Sequence, residues 1–340
     1  MAESGIEKKR ASQNQPGALV ISLDFELHWG FCDHRNLNDS LKVELNNARR
    51  AVNLLLEVFN KRDIHATWAV VGFLMLKNKE QVDKIKPELH LRPQYKDIRL
   101  DPYNVPTGVR EDDDPYHYAS SLVDNIVSTP GQEFASHTFS HYYCLEPGQD
   151  RNSFSEDMKA ASLAAQIHGQ KIQSIVFPRN QYNPQYSDIL TEHGITAYRG
   201  NPDHSFYGAS ENRIDRLFSR RAGRLIDTYF KISGSNVQSW EELYGQSFPL
   251  NVRASRFLRP WSSRLALLEP LKLHRIRKSI RTAAQTGSIF HLWWHPHNFA
   301  SNLNENIRNL ESILDEFSRC RDADGITSLN IGEITDIVCG

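Results

Sequence analysis

The sequence predicts an α/β fold built on a parallel sheet or barrel, because short apolar strands alternate with amphipathic helices along much of its length. Residues 18–23, Ala-Leu-Val-Ile-Ser-Leu, form an apolar run rich in β-branched side chains, as is typical of a buried parallel strand. In residues 41–61 the apolar positions recur at spacings of three and four, which predicts a helix with one apolar face. A second strand, residues 65–71, follows directly.

The alternation of strands and helices continues through the middle of the chain. It predicts strands at 133–136, 175–177 and 195–198, and helices at 153–168 and 184–193, the last ending before Gly194. Two stretches interrupt this pattern, residues 77–118 and about 205–286, and we interpret them as insertions. The first is expected to be a lid or small subdomain, since long loops in compact domains are usually functional or disordered. We therefore expect a flexible tail at 1–17 and one domain at 18–340.

The composition of the chain is that of an ordinary globular enzyme. Its 340 residues are 39% hydrophobic and 24% charged, and the formal net charge of -1 gives no pull toward nucleic acid or an anionic membrane. We find neither a signal peptide in the first seventeen residues nor an apolar run of membrane-spanning length, which predicts a cytoplasmic protein. The four cysteines, Cys32, Cys144, Cys320 and Cys339, are widely separated and are expected to be reduced thiols.

A pair of histidines follows the strand predicted at 133–136. His137 and His141 are four residues apart, so a turn or a helix could direct both imidazoles at one point. That spacing alone also fits capping or surface histidines. The segment lacks the glutamate of a His-Glu-x-x-His protease helix, so any general base has to come from elsewhere.

Two acids follow the first strand and are candidates for the general base and for a further metal ligand. Asp24 and Glu26 are two residues apart on an extended chain, so both point to the same side at the end of a strand, where barrel enzymes place catalytic groups. One carboxylate with His137 and His141 would make a three-ligand metal site with open positions, and the other acid could act as base. The alternative is that the two acids only cap the next turn.

Two later clusters also fall at predicted strand ends. Arg179 follows the strand at 175–177, and we expect it to pair with Asp24 and keep that carboxylate ionised, although it could instead be a surface residue. Residues 289–299 form an apolar strand ending in His295-Pro296-His297, and a histidine there could protonate a departing amine. His291, within the strand, could be a buried structural residue.

These four clusters, in this order, resemble the motifs of the polysaccharide deacetylase family, the NodB-like carbohydrate esterases of family four. The resemblance implies a distorted (β/α) barrel of the NodB type with seven strands. It also implies that Asp24 is the base, that Glu26, His137 and His141 hold the metal, that Arg179 steadies the base and that His295 is the acid. The first motif departs from the usual adjacent aspartates because Phe25 separates the acids, so the roles of Asp24 and Glu26 could be reversed. His297 is the alternative acid.

The resemblance further implies the cofactor and the substrate. One divalent metal is expected, zinc first, with cobalt, nickel or manganese as alternatives. The reaction implied is removal of an N-acyl group, expected to be N-acetyl, from a sugar. Because we expect a cytoplasmic protein, a nucleotide-linked or lipid-linked aminosugar of surface polysaccharide or lipopolysaccharide assembly fits better than a wall polymer. Side chains expected to contact the substrate are Trp29, Asn180, Trp294 and His297. Trp29, Trp293 and Trp294 could stack on a sugar ring, although aromatic residues that flank strands more often belong to the core.

Other functions remain open at this stage. A hydrolase of the same fold could act on another bond, as a sugar deformylase or an allantoinase-type cyclic amidase does. Two histidines and one carboxylate also hold ferrous iron in non-haem oxygenases. A catalytically silent carbohydrate-binding protein could keep the same pocket. The basic residues Arg216, Arg220, Arg221 and Arg224 could contact a phosphate, although such a run is usually a solvated helix face.

Overall fold

The computed structural model describes residues 15–204, 207, 218–230 and 232–340, and the side chains of 218–221 are not described. Most of the predicted tail, residues 1–14, therefore lies outside the described part of the chain. The same holds for Arg216 and for the side chains of Arg220 and Arg221. Of the arginines predicted to contact a phosphate, Arg224 is the one with a described side chain.

The described strands form one sheet, and most of them are short. They are β1 (Ala18–Phe25), β2 (Ala66–Val70), β3 (Gln132–Ser136), β4 (Ser174–Val176), β5 (Ala197–Arg199), β6 (Gln238–Ser239), β7 (Leu250–Asn251), β8 (Arg256–Phe257), β9 (Ser288–Trp294) and β10 (Thr327–Leu329). The sheet order is β6-β9-β1-β2-β3-β4-β5-β7, with β10 added to β1 and β8 added to β9. All of these pairings are parallel except that of β6 with β9.

The extended segment that contains β7 and β8 joins the two ends of this sheet. At its start it pairs with β5, and the Ala254 N–H still donates to the Gly200 carbonyl on that side. One residue later the Ser255 N–H donates to the His291 carbonyl, and β8 then pairs with β9. The sheet thus curls into a barrel of seven strands, which are β9, β1, β2, β3, β4, β5 and this segment. The predicted α/β barrel is confirmed.

Helices cover the outside of the sheet. They are α1 (Asp39–Arg62), α2 (Lys79–Ile85), α3 (Ser120–Ser128), α4 (Arg151–Gln166), α5 (Ser187–Glu192), α6 (Phe218–Tyr229), α7 (Trp240–Tyr244), α8 (Glu269–Thr286), α9 (Leu303–Asp324) and α10 (Ile331–Cys339). The helix predicted at 41–61 corresponds to α1, which begins where the Asn38 side chain accepts from the Leu41 N–H and ends at Asp63 in the left-handed conformation. The helix predicted at 184–193 is shorter in the structure than predicted, because Pro184–Tyr186 form a 3-10 turn before α5.

The core explains why six of the eight residues of the first strand are apolar. All eight residues of β1 are buried, since helices on one side and the barrel interior on the other leave neither face to solvent. Its neighbours β2 and β9 are almost as fully buried. The polar side chains that occur inside, Ser22 and Asp24 of β1 and His291 of β9, contact one another or a common arginine. The polar part of the core therefore lies along the line that leads to the strand ends.

The stretch predicted as the first insertion packs against the loops after β1 and β3. It contains α2 and several 3-10 turns. The buried ring of His117 contacts His28, with 2.7 Å between His117 Nε2 and His28 Nδ1, and Asp114 accepts from its other ring nitrogen. On the other side, Tyr95 accepts a hydrogen bond from the Tyr143 N–H. We propose that this stretch is a fixed wall of one domain rather than a separate unit.

The described helices are all either too short or too polar to cross a bilayer. The longest of them, α1 and α9, carry charged residues along their outer faces.

Candidate metal centre and active site

The polar residues singled out in the sequence meet at one edge of the barrel, where several parallel strands end. Glu26 directly follows β1, His137 follows β3, Arg199 ends β5, and His295 follows β9. In parallel barrels this carboxyl-terminal edge is where loops bring side chains from distant parts of the chain together. The structure thus brings Glu26, His137, His141 and His295 within reach of one another, as the ion-pair distances below show.

Glu26, His137 and His141 form a buried cluster of potential metal ligands. His141 Nε2 lies 2.9 Å and His137 Nε2 3.3 Å from Glu26 Oε2. The three ligand atoms lie within 4.8 Å of one another, and all three residues are buried. This is the geometry that the sequence predicted for a carboxylate and two imidazoles; their role as ligands stays a proposal.

The hydrogen bonds around the two histidines favour a metal at this point. His137 Nδ1 donates to the Val176 carbonyl at 2.8 Å, and its buried Nε2 has no hydrogen-bond partner. His141 Nδ1 lies 3.1 Å from the Tyr143 hydroxyl, so its Nε2 also faces Glu26. Metal-binding histidines are usually fixed through the second ring nitrogen in this way. The donor set suits a divalent cation such as zinc, which takes imidazole nitrogen and carboxylate oxygen.

A buried acid on α4 shapes the loop between the two histidines. Asp157 accepts from the backbone N–H groups of Phe139 (2.7 Å) and Ser140 (3.1 Å) and from the Ser140 hydroxyl. Burial raises the pKa of Asp157 to about 6, although those hydrogen bonds act to lower it. Thr138 and His141 both adopt positive φ angles, 61° and 57°, which non-glycine residues rarely do. The loop is therefore held in an uncommon conformation by contacts from outside it.

Glu26 fits its place because the turn after β1 contains a glycine. A Cβ atom on Gly30 would lie 2.2 Å from Glu26 Oε1, far inside van der Waals contact. The carboxylate therefore packs directly on the Gly30 backbone. Burial acts to raise the pKa of Glu26, but the charge of His295 and the neighbouring imidazoles of His137 and His141 hold it well below its usual range. Glu26 is an anion in this site.

Asp24 pairs with an arginine that sequence reasoning missed. Arg199 donates from Nη1 to Asp24 Oδ1 at 2.6 Å and from Nη2 to Oδ2 at 2.8 Å, and both side chains are buried. Burial acts to raise the pKa of Asp24, but the charge of Arg199, then that of His295, lowers it below its ordinary value. Arg199 directly follows the strand predicted at 195–198. A cation at the end of a parallel strand was therefore the signal available in the sequence.

The predicted pairing of Arg179 with Asp24 was wrong. Arg179 pairs with Asp33, lies 3.6 Å from Glu146 Oε1 and stacks over the Tyr143 ring at 4.3 Å. Its backbone has a φ of 54°, so the chain turns sharply after β4 and carries the side chain toward the opening of the site. The next residue, Asn180, does reach the Asp24 pair, since its Oδ1 accepts from Arg199 Nη2 at 3.0 Å.

The histidines after β9 form the more open side of the site. His295 Nε2 lies 3.3 Å from Glu26 Oε1 and 3.7 Å from Asp24 Oδ2, and 22% of its side chain is exposed, against 5% for Asp24. His297 Nδ1 lies 4.0 Å from Glu26 Oε1. His291 is fully buried beside Ser22, and burial lowers its pKa to about 3, in line with a structural role. A substrate would therefore approach from the side of His295.

The prediction that Trp294 contacts the substrate was wrong. Its ring is fully buried and stacks on Phe299. The side chain points into the core because neighbouring strand residues point to opposite faces, so the half-buried Trp293 points toward the site instead. Trp293 lies under the Arg199 guanidinium at 4.1 Å. Trp29 is 3% exposed and stacks on Phe73, and its contact with substrate stays a prediction.

Comparison with known proteins gives a family match for part of the chain. The family model described as polysaccharide deacetylase matches residues 45–198, a range that includes His137 and His141 but begins after Glu26 and ends before Arg199. No curated protein sequence matches the chain.

Solved structures share the fold at low sequence identity. A protein classed with the polysaccharide deacetylases, from Mycobacterium smegmatis, is 10% identical with a TM-score of 0.57, over 96% of this chain and 91% of that one. A second such protein, from Pseudomonas aeruginosa PAO1, is 10% identical with a TM-score of 0.54, over 94% and 90%. A PuuE allantoinase is 11% identical with a TM-score of 0.53, over 94% and 89%. At such identity these structures show the fold alone. The family match of residues 45–198 confirms the resemblance to the polysaccharide deacetylases and agrees with the hydrolase class predicted from the motifs.

Proposed function

We propose that this chain is a metal-dependent hydrolase that removes an N-acyl group, N-acetyl first, from an aminosugar. The observation that carries the proposal is the position of Glu26 between the His137 and His141 pair on one side and His295 on the other. The ionised Asp24 lies beside them, 3.7 Å from His295. A ligand set, a base and an acid within reach of one another are the parts that hydrolysis of an amide requires.

The proposed chemistry divides between the two sides of the site. A divalent cation held by Glu26, His137 and His141 would polarise the amide carbonyl and make a water molecule more acidic. Asp24, fixed by the bidentate Arg199, accepts the proton of the attacking water. His295 Nε2 then donates a proton to the nitrogen as the carbon–nitrogen bond breaks. The products are acetic acid, which takes the hydroxyl group of the water, and the free aminosugar. The proton that Asp24 gained returns to His295, 3.7 Å away, before the next turnover.

Two observations support Asp24 as the base and Glu26 as the metal ligand rather than the opposite assignment. Both oxygens of Asp24 are engaged by Arg199, and a carboxylate already bound to a guanidinium is a poorer metal ligand. Glu26, by contrast, has no arginine or lysine partner among the described residues and faces only histidines. The longer glutamate side chain also spans the distance from the end of β1 to the two histidines.

The partly exposed residues around the site bear on the choice of substrate. Arg179, Asn180 and Trp293 are each partly exposed around the site, and together they offer a cation, an amide and an aromatic face. An aromatic face suits a sugar ring, and a guanidinium suits a phosphate. We therefore favour a nucleotide-linked or lipid-linked N-acetylated sugar. We also propose that the reaction takes place in the cytoplasm, because such sugar precursors are expected to be available there.

The experiment starts from protein freed of metal by a chelator. Acetate release from a UDP-linked N-acetylhexosamine should appear after zinc, cobalt, nickel or manganese is added and should be absent without metal. Glu26→Ala, His137→Ala and His141→Ala should lose bound metal, whereas Asp24→Asn and His295→Ala should keep metal and lose turnover. Metal retained by all three ligand variants would contradict the site. Sugar binding unaffected by Asp24→Asn and without turnover would indicate a silent binding protein.

A second candidate is an allantoinase-type cyclic amidase, which the fold shared with a PuuE allantoinase favours. The same water activation would open a ring instead of releasing an acyl group. Parallel assays separate the possibilities by product: acetate, formate or a ring-opened ureide.

A further inference from the structure

The two oxygens of Glu26 face two different pairs of histidines. Oε2 faces the Nε2 atoms of His141 at 2.9 Å and His137 at 3.3 Å. Oε1 faces His295 Nε2 at 3.3 Å and His297 Nδ1 at 4.0 Å. In this second group too, one ligand atom from each residue lies within 4.8 Å of the others. The proposed function uses only the first group to hold metal, so the second remains to be explained.

The hydrogen bonds of His295 prepare its Nε2 as a ligand. Asn298 Oδ1 lies 3.1 Å from His295 Nδ1 and also accepts from the His295 backbone N–H at 3.2 Å. Because Asn298 offers an acceptor, Nδ1 carries the proton and the lone pair of the neutral ring is on Nε2. This is the second-shell arrangement that fixes metal-binding imidazoles, and His137 shows it as well.

A lone pair on His295 Nε2 would face the carboxylate oxygen Glu26 Oε1 directly. Two acceptors 3.3 Å apart require a positive species between them, either a proton on the ring or a cation. His297 stacks on His295 with 4.8 Å between ring centroids, so its nitrogen borders the same space. A proton and a metal ion would therefore compete for one position.

We propose that Glu26 Oε1, His295 and His297 form a second, weaker metal position, and that a divalent metal bound there inhibits the enzyme. The lone pair of His295 Nε2 is then donated to the metal, and one proton is released for each metal bound at a protonated ring. No proton is left for the departing amine. The inhibition rests on the proposed function, whereas the binding site itself does not.

Physical reasons make this position weaker than the first. The side chains of His295 and His297 are 22% and 13% exposed, against 1% and 4% for His137 and His141. His297 Nδ1 must also move closer to Glu26 Oε1 than 4.0 Å for tetrahedral coordination. Ligand atoms about 2 Å from a zinc ion are then roughly 3.3 Å from each other. The first equivalent of metal should therefore fill the first group.

Metal counting tests the site independently of activity. Chelator-treated protein is titrated with zinc alone by calorimetry, and metal content is checked by elemental analysis after removal of free ions. We expect two equivalents for the wild type, the second at least ~10-fold weaker. His297→Ala should bind one equivalent at zinc concentrations that give two in the wild type. His90→Ala, which removes an exposed imidazole, is the matched control and should bind two.

Inhibition is tested on the same samples. Acetate release should rise with the first equivalent of zinc and fall with the second. Relative to its own maximum, His297→Ala should need at least ~10-fold more zinc for half-inhibition. One equivalent in the wild type up to millimolar zinc overturns the proposal, as do two equivalents retained by both His297→Ala and His295→Ala. If metal fills the second position and acetate release does not fall, the proposed inhibition is overturned. Absence of any amide hydrolysis contradicts the proposed function and leaves the metal count to decide the site.

Discussion

Arg199 lies flat against Asp24 and donates one hydrogen bond to each carboxylate oxygen, 2.6 Å and 2.8 Å long. The pair joins the end of β5 to the end of β1, two strands that are not neighbours in the sheet. Ser22 and Asn180 complete the shell of the guanidinium. Asp24 is therefore fixed in orientation and kept ionised by a residue far away in the sequence.

Replacement of this arginine should reduce turnover without removing metal. Arg199→Lys keeps the buried charge but loses the planar fork, so Asp24 is no longer fixed by two hydrogen bonds. We expect kcat to fall on the order of 10-fold or more, with unchanged metal content, measured by acetate release and elemental analysis. Arg179→Lys is the comparison, because Arg179 contacts Asp33 instead. A larger loss of kcat in Arg179→Lys than in Arg199→Lys would contradict the assignment.

Gly30→Ala should disturb the metal site through sterics alone. The new Cβ would lie 2.2 Å from Glu26 Oε1, and contacts under 3.0 Å essentially do not occur, so the carboxylate must move. A displacement near 1 Å at a reacting centre costs on the order of 100-fold in rate. We expect weaker metal binding and a comparable loss of kcat/KM. Gly245→Ala, whose Cβ meets nothing closer than 3.4 Å, should change neither.

Asp157→Asn should weaken metal binding from a distance. Asp157 contacts neither the proposed metal nor the substrate, but it accepts from the Phe139 and Ser140 N–H groups that shape the loop. An asparagine has one acceptor oxygen in place of two, so one of these donors loses its partner. We expect metal affinity to fall about 10- to 100-fold and excess metal to restore turnover. Glu156→Gln, one residue earlier on α4, is the control, and equal affinity in both variants would rule out the positioning role.

The stability of the protein should depend on acid pH through Asp227. This buried carboxylate on α6 pairs with Arg275 at 2.8 Å and with Arg256 at 3.5 Å. Burial acts to raise its pKa, but hydrogen bonds from the Ser233 N–H and Arg275 lower the pKa from its ordinary value of 3.8 to about 2. A depressed folded pKa stabilises the fold above pH 3.8, and this contribution is lost as the pH falls through 2.

Asp227→Asn tests that pH dependence. At pH 7 it leaves two buried arginines without their carboxylate, so we expect the free energy of unfolding to fall on the order of 3 kcal/mol. The difference from the wild type should shrink as the pH falls from 4 toward 2, as measured by urea unfolding. Asp112→Asn, on the exposed surface, should have little effect at any pH. A difference that stays constant down to pH 2 would show that Asp227 does not titrate as described.

Local sequence patterns were sufficient to predict the barrel and the central cluster of the site. Periodicity predicted the strands and helices, because a strand buried on both faces and a helix with one apolar face leave different repeats in the chain. The acids after β1 and the histidines after β3 were predictable as neighbours, since the ends of adjacent parallel strands meet at one edge. Local spacing was sufficient because each group sits within a residue or two of a strand end.

Contacts between residues that are distant in the sequence depend on the three-dimensional arrangement of the strands. Arg179 and Arg199 both follow predicted strands, and nothing local distinguishes them. The positive φ of Arg179 and the curvature of the barrel direct one to Asp33 and the other to Asp24. Likewise, the two faces of β9 put Trp294 in the core and Trp293 on Arg199. The approach of His297 to Oε1 of Glu26 also depends on the tertiary structure. The two residues follow β9 and β1, which lie more than 250 residues apart in the chain but are paired in the sheet.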